Sequence, residues 1–244
     1  MTVRGRYIAL EGWEGSGKST QAELLAASRD AVLTREPGGT ELGASLRGLL
    51  LHADGDTAPT DRAEALMFAA DRAQHVAHVI APALATGRDV VTDRSYGSTL
   101  AYQGYGRGLP QEELRTLVDW ASQRPKSVTG LPEIVLPDVV LPDIVVLLDM
   151  PMTAADTRVH QLDRITGDQM SLLEAGSTRE RSGDLRPDNI ESEAVQFALR
   201  VWRGYQRLCD AEPQRWIRVD ATGSIDAVTR RVADAVDIHP AMKA

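Results

Sequence analysis

The sequence predicts an α/β protein whose core is a five-stranded parallel sheet flanked by helices on both faces. Short apolar runs alternate with longer segments of helical period, the pattern that lays helices over a parallel sheet. One run, Ile144 to Leu148, is unbroken Ile, Val and Leu, as expected of a parallel strand buried on both faces. A glycine-rich segment, Gly12 to Thr20, separates the first apolar run from the first helical segment. Ligands of such sheets bind there, at the carboxyl ends of the strands.

In chain order, Tyr7–Leu10, Ala31–Leu33, Val90–Thr92 and Ile144–Leu148 read as strands. Trp216–Val219 alternates and reads as a strand near a sheet edge. Helical periodicity marks Ser19–Arg29, Glu41–Leu51, Asp61–Ala85, Thr99–Gly104, Gln111–Ser122, Thr153–His160, Glu191–Asp210 and Ser224–Val236. In Asp61–Ala85 the apolar stripe is Leu66, Ala69, Ala73, Val76, Ala77 and Ile80. In Glu191–Asp210 it is Ala194, Ala198, Val201, Trp202, Tyr205 and Cys209.

Two segments depart from this alternation. Leu131–Val145 holds three tandem pentads, LPEIV, LPDVV and LPDIV, with a proline every five residues that excludes a helix. The third copy leads into the strand. The first two are expected to be extended and poorly packed, an insertion of about 124–142. Gln161–Pro187 is polar and carries Arg164, Arg179, Arg181 and Arg186. It reads as a lid of about 161–188 or as a disordered loop. The whole chain, 1–244, is expected to be one domain.

Composition bounds the function. A chain of 244 residues, 43% hydrophobic and 25% charged, builds a full core. Acidic residues exceed basic ones by 35 to 27, a net charge of −8 that argues against a nucleic-acid or anionic-membrane surface. Cys209 is the single cysteine, so no intrachain disulfide forms. Met1–Leu10 has no apolar signal-peptide core, and Ile134–Met150 is cut by Pro137, Asp138, Pro142 and Asp143. A cytoplasmic protein is expected. His52, His75, His78, His160 and His239 form no metal-ligand spacing and are given no catalytic role.

Four motifs carry chemistry. Gly12-Trp-Glu-Gly-Ser-Gly-Lys-Ser-Thr20 fits the phosphate-loop pattern G-x-x-x-x-G-K-[ST] between a strand and a helix. Gly12, Gly15 and Gly17 let backbone N–H groups turn inward on a polyphosphate, and Lys18 supplies a mobile cation for it. Ser19 supplies a hydroxyl for Mg²⁺. Asp93-Arg94 ends a strand; the carboxylate there suits a Mg²⁺ shell and the guanidinium a transferring or accepting phosphate. Thr34-Arg-Glu-Pro-Gly-Gly-Thr40, followed by Arg47, makes Arg35 and Arg47 a candidate second anion site. Phe68 and Arg72 stand at i, i+4 on one helix face, where a ring stacks on a nucleobase and a guanidinium donates to its carbonyl. Taken singly, the last three also read as a surface ion pair, a plain turn, and a core Phe beside a surface Arg.

Together the motifs resemble the bacterial thymidylate kinases, a family of P-loop kinases. The likeness rests on the GxEGSGKST pattern, TREPGGT, FAADRAQH and the run Asp93-Arg-Ser-Tyr-Gly-Ser98-Thr99-Leu-Ala-Tyr102-Gln103-Gly104. It is dense from Arg6 to Gln111 and weaker from Pro142 to Val236. The resemblance implies a P-loop NTPase fold and transfer of a phosphoryl group from ATP, with Mg²⁺, to dTMP, in a homodimer. It places ATP on Gly12, Glu14, Gly15, Ser16, Gly17, Lys18, Ser19 and Thr20, and the metal at Ser19 and Asp93. It stacks Phe68 on thymine, aims Arg72 at O4, and sets Thr99 and Gln103, with Ser98 of the same run, beside the base. Tyr102 lies beneath the deoxyribose, where a 2′-hydroxyl would project. Arg35, Arg47 and Arg94 hold the acceptor phosphate with Glu36 nearby, and Glu14 stands near the acceptor sugar and the metal.

The catalytic set is then Lys18, Arg94, Glu14 and a lid arginine, Arg164. Ser95 stands where the family has an aromatic or His. Asp188-Asn-Ile-Glu191 carries Asn where the family's lid has Arg, and Asp163-Arg164-Ile165 offers an earlier alignment of that pattern. The pentads have no family counterpart. The competing readings are a kinase for another deoxynucleoside monophosphate, a P-loop protein that binds nucleotide with little turnover, and a P-loop ligase or synthase acting on a small acid.

Overall fold

The computed structural model describes residues 4–52, 57–125, 136–151 and 187–242, with side chains from 195 onward in the last range. The elements are β1 (Tyr7–Gly12), α1 (Lys18–Arg29), β2 (Val32–Arg35), α2 (Glu41–His52), α3 (Asp61–His75), α4 (Ala81–Ala85), β3 (Val90–Asp93), α5 (Tyr96–Thr99), α6 (Gln111–Ala121), β4 (Ile144–Asp149), α7 (Pro187–Ala211), β5 (Trp216–Asp220) and α8 (Ile225–Ile238). Two π-helical segments, Val76–Ile80 and Leu100–Gly106, continue α3 and α5.

The five strands form one parallel sheet in the order β2-β3-β1-β4-β5. All six residues of β1 are buried, as are Ile144–Leu148 of β4, so both sheet faces are covered. This is why these strands read as continuous apolar runs. β5, which alternates, lies at an edge as its pattern predicts. α1 packs against β1, β3 and α8, and α7 packs against β5 and the second π segment. No helix among the described residues is long and apolar enough to cross a membrane.

Topology decides where the chemistry gathers. β1 is central, so the loop after it opens between the carboxyl ends of β3 and β4. Leu10 pairs with Asp93, and Asp93 with Arg35 across β2. Three motifs far apart in sequence therefore meet on one rim.

The stripe expected on α3 is partly corrected. Leu66 is 57% exposed and Ala73 is also exposed, whereas the buried residues are Glu64, Ala65, Ala69, Asp71, Arg72 and His75. Ala69, Val76 and Ile80 of the stripe are buried, but an apolar period cannot find the polar members of the same face, Glu64, Asp71, Arg72 and His75. Of the α7 stripe, Ala198, Val201, Tyr205 and Cys209 are buried and Trp202 is half-buried, while the Ala194 side chain lies outside the described residues; Leu208, not part of the expected stripe, is buried with them.

The pentads also need a correction. The third copy does enter β4. The second is not poorly packed: Leu136 and Val140 are 4% and 2% exposed and join a core cluster with Tyr7, Ile80, Leu84 and Val90. Val140 N–H donates to the Ser122 carbonyl at 2.8 Å, and Arg124 N–H to that of Asp138 at 2.7 Å. The first copy, the Thr153–His160 helix and the lid segment with Arg164, Arg179, Arg181 and Arg186 lie outside the described residues.

Leu136→Ala should cost about 2–4 kcal/mol, the range for emptying a packed core site. It should appear as a lower urea midpoint with an unchanged m-value. A loss under about 1 kcal/mol would mean that the second pentad is not part of the core.

Candidate active site

The loop after β1 adopts the backbone its glycines permit. Gly12, Gly15 and Gly17 have φ of 143°, 72° and 90°. A Cβ on Gly12 would lie 2.6 Å from the Leu148 carbonyl oxygen. The loop runs directly into α1, so free N–H groups of its first turn face the rim. Lys18 is 6% exposed, with Nζ donating to the Trp13 carbonyl at 2.8 Å. Burial first, and the charge of Arg94 second, push its pKa down to about 7, against the pull of Asp93, Glu14 and Glu11.

Ser19 Oγ donates to Asp93 Oδ2 at 2.5 Å. Asp93 Oδ1, Glu14 Oε2 and Ser16 Oγ are buried without a hydrogen-bond partner among the described residues. A hydroxyl beside unsatisfied carboxylate oxygens is a hard-oxygen donor set and fits Mg²⁺.

Arg94 follows β3 in a left-handed conformation, φ 69°, rare for a residue with a side chain and common where strain serves a site. Its Nη1 donates to Ser98 Oγ at 3.1 Å, and its guanidinium lies over the Tyr102 ring, 5.3 Å from the centroid. Beneath it lies Glu11 of β1, wholly buried. Glu11 Oε1 accepts from the N–H groups of Ser95 and Ser98 at 2.8 and 2.9 Å. Its Oε2 accepts from Ser98 Oγ at 2.6 Å and Tyr205 OH at 3.0 Å. Burial nonetheless raises its pKa above the ordinary carboxylate value.

Beside Arg94 opens a pocket with about 600 Å³ of empty space, lined in part by Phe68, Arg72, Thr99, Tyr102, Gln103 and Phe197. Arg72 is 3% exposed and is held by Glu36, with Nε and Nη2 at 3.0 and 2.7 Å from Oε2. Burial opposes the charge of Glu36, but Arg72 and His75 outweigh it and keep its pKa below the ordinary value. Gln103 donates to Glu64 Oε1 at 2.7 Å, and Tyr102 stacks on Trp13 with ring centroids 6.0 Å apart.

The Pro-Gly-Gly turn lies against α3. Gly38 N–H donates to Asp71 Oδ1 at 3.0 Å, and a Cβ on Gly39 would meet the His75 ring at 2.6 Å. Asp71, buried and near Glu36, has its pKa pushed up to about 6 by burial and then by that neighbouring charge, against the Gly38 hydrogen bond.

Of the ten residues expected around an acceptor, Glu36, Phe68, Arg72, Arg94, Ser98, Thr99, Tyr102 and Gln103 line this pocket. Arg35 and Arg47 do not. Arg35 is exposed at the end of β2, and Arg47 donates from Nη1 to the Pro37 carbonyl at 3.2 Å. After burial, the charges of Arg35 and Arg94 push the Arg47 pKa down. Glu36 serves Arg72 and His75 directly. Asp71 and His75 lie in the FAADRAQH motif but receive no role from the sequence, and Glu11, Glu64 and Tyr205 belong to the site outside every motif. Their one sequence signal is a polar residue inside an apolar or helical run, which alone does not tell burial from exposure.

A family model described as thymidylate kinase matches residues 10–232. The chain is 43% identical over 236 residues to the thymidylate kinase of Synechococcus sp. (strain JA-3-3Ab), covering 94% of each. It is 42% identical over 238 residues to that of Leifsonia xyli subsp. xyli (strain CTCB07), covering 96% of this chain and 95% of the relative. The crystal structure of thymidylate kinase from Ehrlichia chaffeensis superposes with a TM-score of 0.66 at 28% identity, covering 96% of this chain and 99% of that one.

The depressed pKa of Lys18 makes a pH prediction. A bound polyphosphate favours the ammonium form and raises the pKa from about 7. Nucleotide binding should therefore take up a proton above pH 7, with affinity highest below pH 7 and falling by up to about tenfold per pH unit above it. Titration calorimetry with ATP at pH 8, in two buffers of different ionisation enthalpy, should show an uptake that Lys18→Met lacks. Equal uptake in both proteins would remove Lys18 from the phosphate site.

Proposed function

The chain belongs to the thymidylate kinase family, and on that footing we propose how its residues divide the transfer of a phosphoryl group from ATP to dTMP. The enzyme phosphorylates dTMP, and the acceptor's phosphate oxygen is the nucleophile. A phosphate monoester with a second pKa near 6 is mostly dianionic at pH 7, so the step needs no general base. It needs two anions brought into line and their charge neutralised.

The loop from Gly12 to Thr20 and Lys18 hold the donor's phosphates. Ser19 and Asp93 hold Mg²⁺, with Glu14 beside it; the ion, when bound, neutralises charge on the donor phosphates. Arg35, Arg47 and Arg94 take the acceptor phosphate, and the lowered pKa of Arg47 under the charges of the other two supports that reading. Phe68 stacks on the base. Tyr102, fixed against Trp13, fills the space a 2′-hydroxyl would need. Thr99 and Gln103 border the base, and Ser98 keeps Arg94 in place. We assign 1–244 to one domain, 161–188 to a lid contributing Arg164, and the protein to the cytoplasm.

One observation carries the acceptor assignment. Arg72 Nη1 is buried in the pocket with no hydrogen-bond partner among the described residues, while its other two nitrogens are occupied. A buried unmet donor costs about 1–3 kcal/mol, and a carbonyl such as O4 of thymine meets it. Cytosine presents an amino donor there instead.

The order of kcat/KM should be dTMP, then dUMP, with dCMP, dGMP and UMP far behind. The missing methyl of dUMP costs about 1–3 kcal/mol, whereas a mismatched polar partner reaches larger ratios. Coupled ADP release with the five acceptors measures it, and Arg72→Met should collapse the preference for dTMP over dCMP. A preference for dCMP or a purine would overturn the assignment.

We also propose a homodimer through α2, α3 and α6, which pack in series. Leu42, Leu49, Leu66 and Trp120 are 47–68% exposed on them. Large apolar side chains exposed on helices that pack side by side suit an association surface. Leu66→Glu should sediment as a monomer while the parent sediments as a dimer. A monomeric parent would remove the proposal.

A further inference from the structure

Arg72 spends its donors unevenly. Nε and Nη2 go to one Glu36 oxygen, Oε2, and Nη2 also reaches Thr99 Oγ1 at 3.2 Å. Nη1 is left over. The second Glu36 oxygen, Oε1, lies 3.0 Å from His75 Nδ1. His75 Nε2 in turn lies 2.6 Å from Thr34 Oγ1. An ionised carboxylate only accepts, so Nδ1 carries the proton and donates to Oε1. Thr34 Oγ1, which donates or accepts, completes the chain on the far side of the ring.

His75 does not line the pocket and is 0% exposed. The ring is closely packed, since Gly39 leaves no room for a Cβ against it. It thus touches no ligand, yet it fixes the carboxylate that fixes Arg72. A carboxylate with its second oxygen free tends to bind a guanidinium through two parallel N–H bonds. Those bonds would come from Nε and Nη2, the edge already facing Glu36, one to each oxygen, and the guanidinium would turn, taking Nη1 off the direction it now holds.

We propose that His75 is a positioning residue for acceptor choice: by occupying Glu36 Oε1, and itself braced by Thr34, it keeps Nε and Nη2 on Oε2 and so fixes the direction in which Arg72 Nη1 meets a base carbonyl. The proposal rests on the assignment of Arg72 to the acceptor base. It makes the selectivity of the pocket a property of a buried four-residue chain, Thr34–His75–Glu36–Arg72, running from β2 through α3.

Steady-state kinetics with dTMP and dCMP tests it. His75→Leu keeps most of the volume and removes the donor. It should lower kcat/KM for dTMP roughly 10–100-fold, the range for losing a buried hydrogen bond to a charged group. The loss should fall on KM, with kcat at saturation little changed. The dTMP-to-dCMP preference should shrink by a similar factor, because a misdirected Nη1 favours neither base. His75→Asn, which restores an amide N–H near the Nδ1 position, should recover most of the preference. Thr34→Val removes only the outer hydroxyl and should shift the preference less but in the same direction; it serves if His75→Leu does not fold.

A preference unchanged in every folded His75 and Thr34 variant, while Arg72→Met collapses it, would overturn the positioning role and leave the base assignment standing. A preference that survives Arg72→Met as well would remove the base assignment, and the positioning role with it.

Discussion

Glu11 is the last side chain of β1 before the phosphate loop turns away, and its burial means that donors inside the protein must meet its charge. Two come from the backbone at Ser95 and Ser98, one from the Ser98 hydroxyl and one from Tyr205. They tie three parts of the chain to one carboxylate: the central strand, the turn after β3, and α7. The turn carries Arg94 in a left-handed backbone conformation that costs energy and needs its surroundings to hold it. A Cβ at Gly97 would sit 2.9 Å from Glu11 Oε1, so the turn closes over the carboxylate only because that residue is glycine.

Glu36 repeats the device on the other side of the pocket. Its two oxygens meet Arg72 and His75, and all three side chains are at most 4% exposed. Buried ion pairs are weak contributors to stability, because desolvation cancels much of the attraction. Their use here is orientation. A guanidinium on a flexible stem is a poor reader of a base, whereas one clamped along one edge presents a single donor in a fixed direction. The site spends charged groups in pairs, one member facing the pocket and the other holding it.

Aromatic rings fill the space between these two anchors. Tyr102 stacks on Trp13 and meets Phe197 and Tyr205 edge-on. Phe197 and Tyr205 both lie on α7, so this helix contributes a wall of the pocket and a hydrogen bond to its foundation. The two π-helical segments border the same region. One begins directly after His75 and the other carries Tyr102 and Gln103. Wider turns of this kind recur at functional sites, and here they sit where two helices present side chains to the pocket.

The sequence by itself determined the parallel α/β architecture, because strands buried on both faces must be apolar throughout, and Ile144–Leu148 can be little else. It determined the phosphate loop, because close backbone approach needs glycines at fixed spacing, and it marked Phe68, Arg72 and Arg94 through local chemistry, whereas Glu36, Ser98, Thr99, Tyr102 and Gln103 were marked by the family resemblance. It placed Leu66 and Ala73 on the buried face of the third helix wrongly, although Ala69, Val76 and Ile80 of the same stripe are buried, and it gave Glu11, His75 and Tyr205 no part in the site. Those errors share one cause. Hydrophobic period measures what a residue would prefer in water, and it cannot register a polar side chain whose partner arrives from a distant part of the chain. Glu11 lies 194 positions from Tyr205 and His75 lies 39 from Glu36. The order β2-β3-β1-β4-β5 brings the distant motifs to one rim and these partners together, and only then does burying their charges become tolerable.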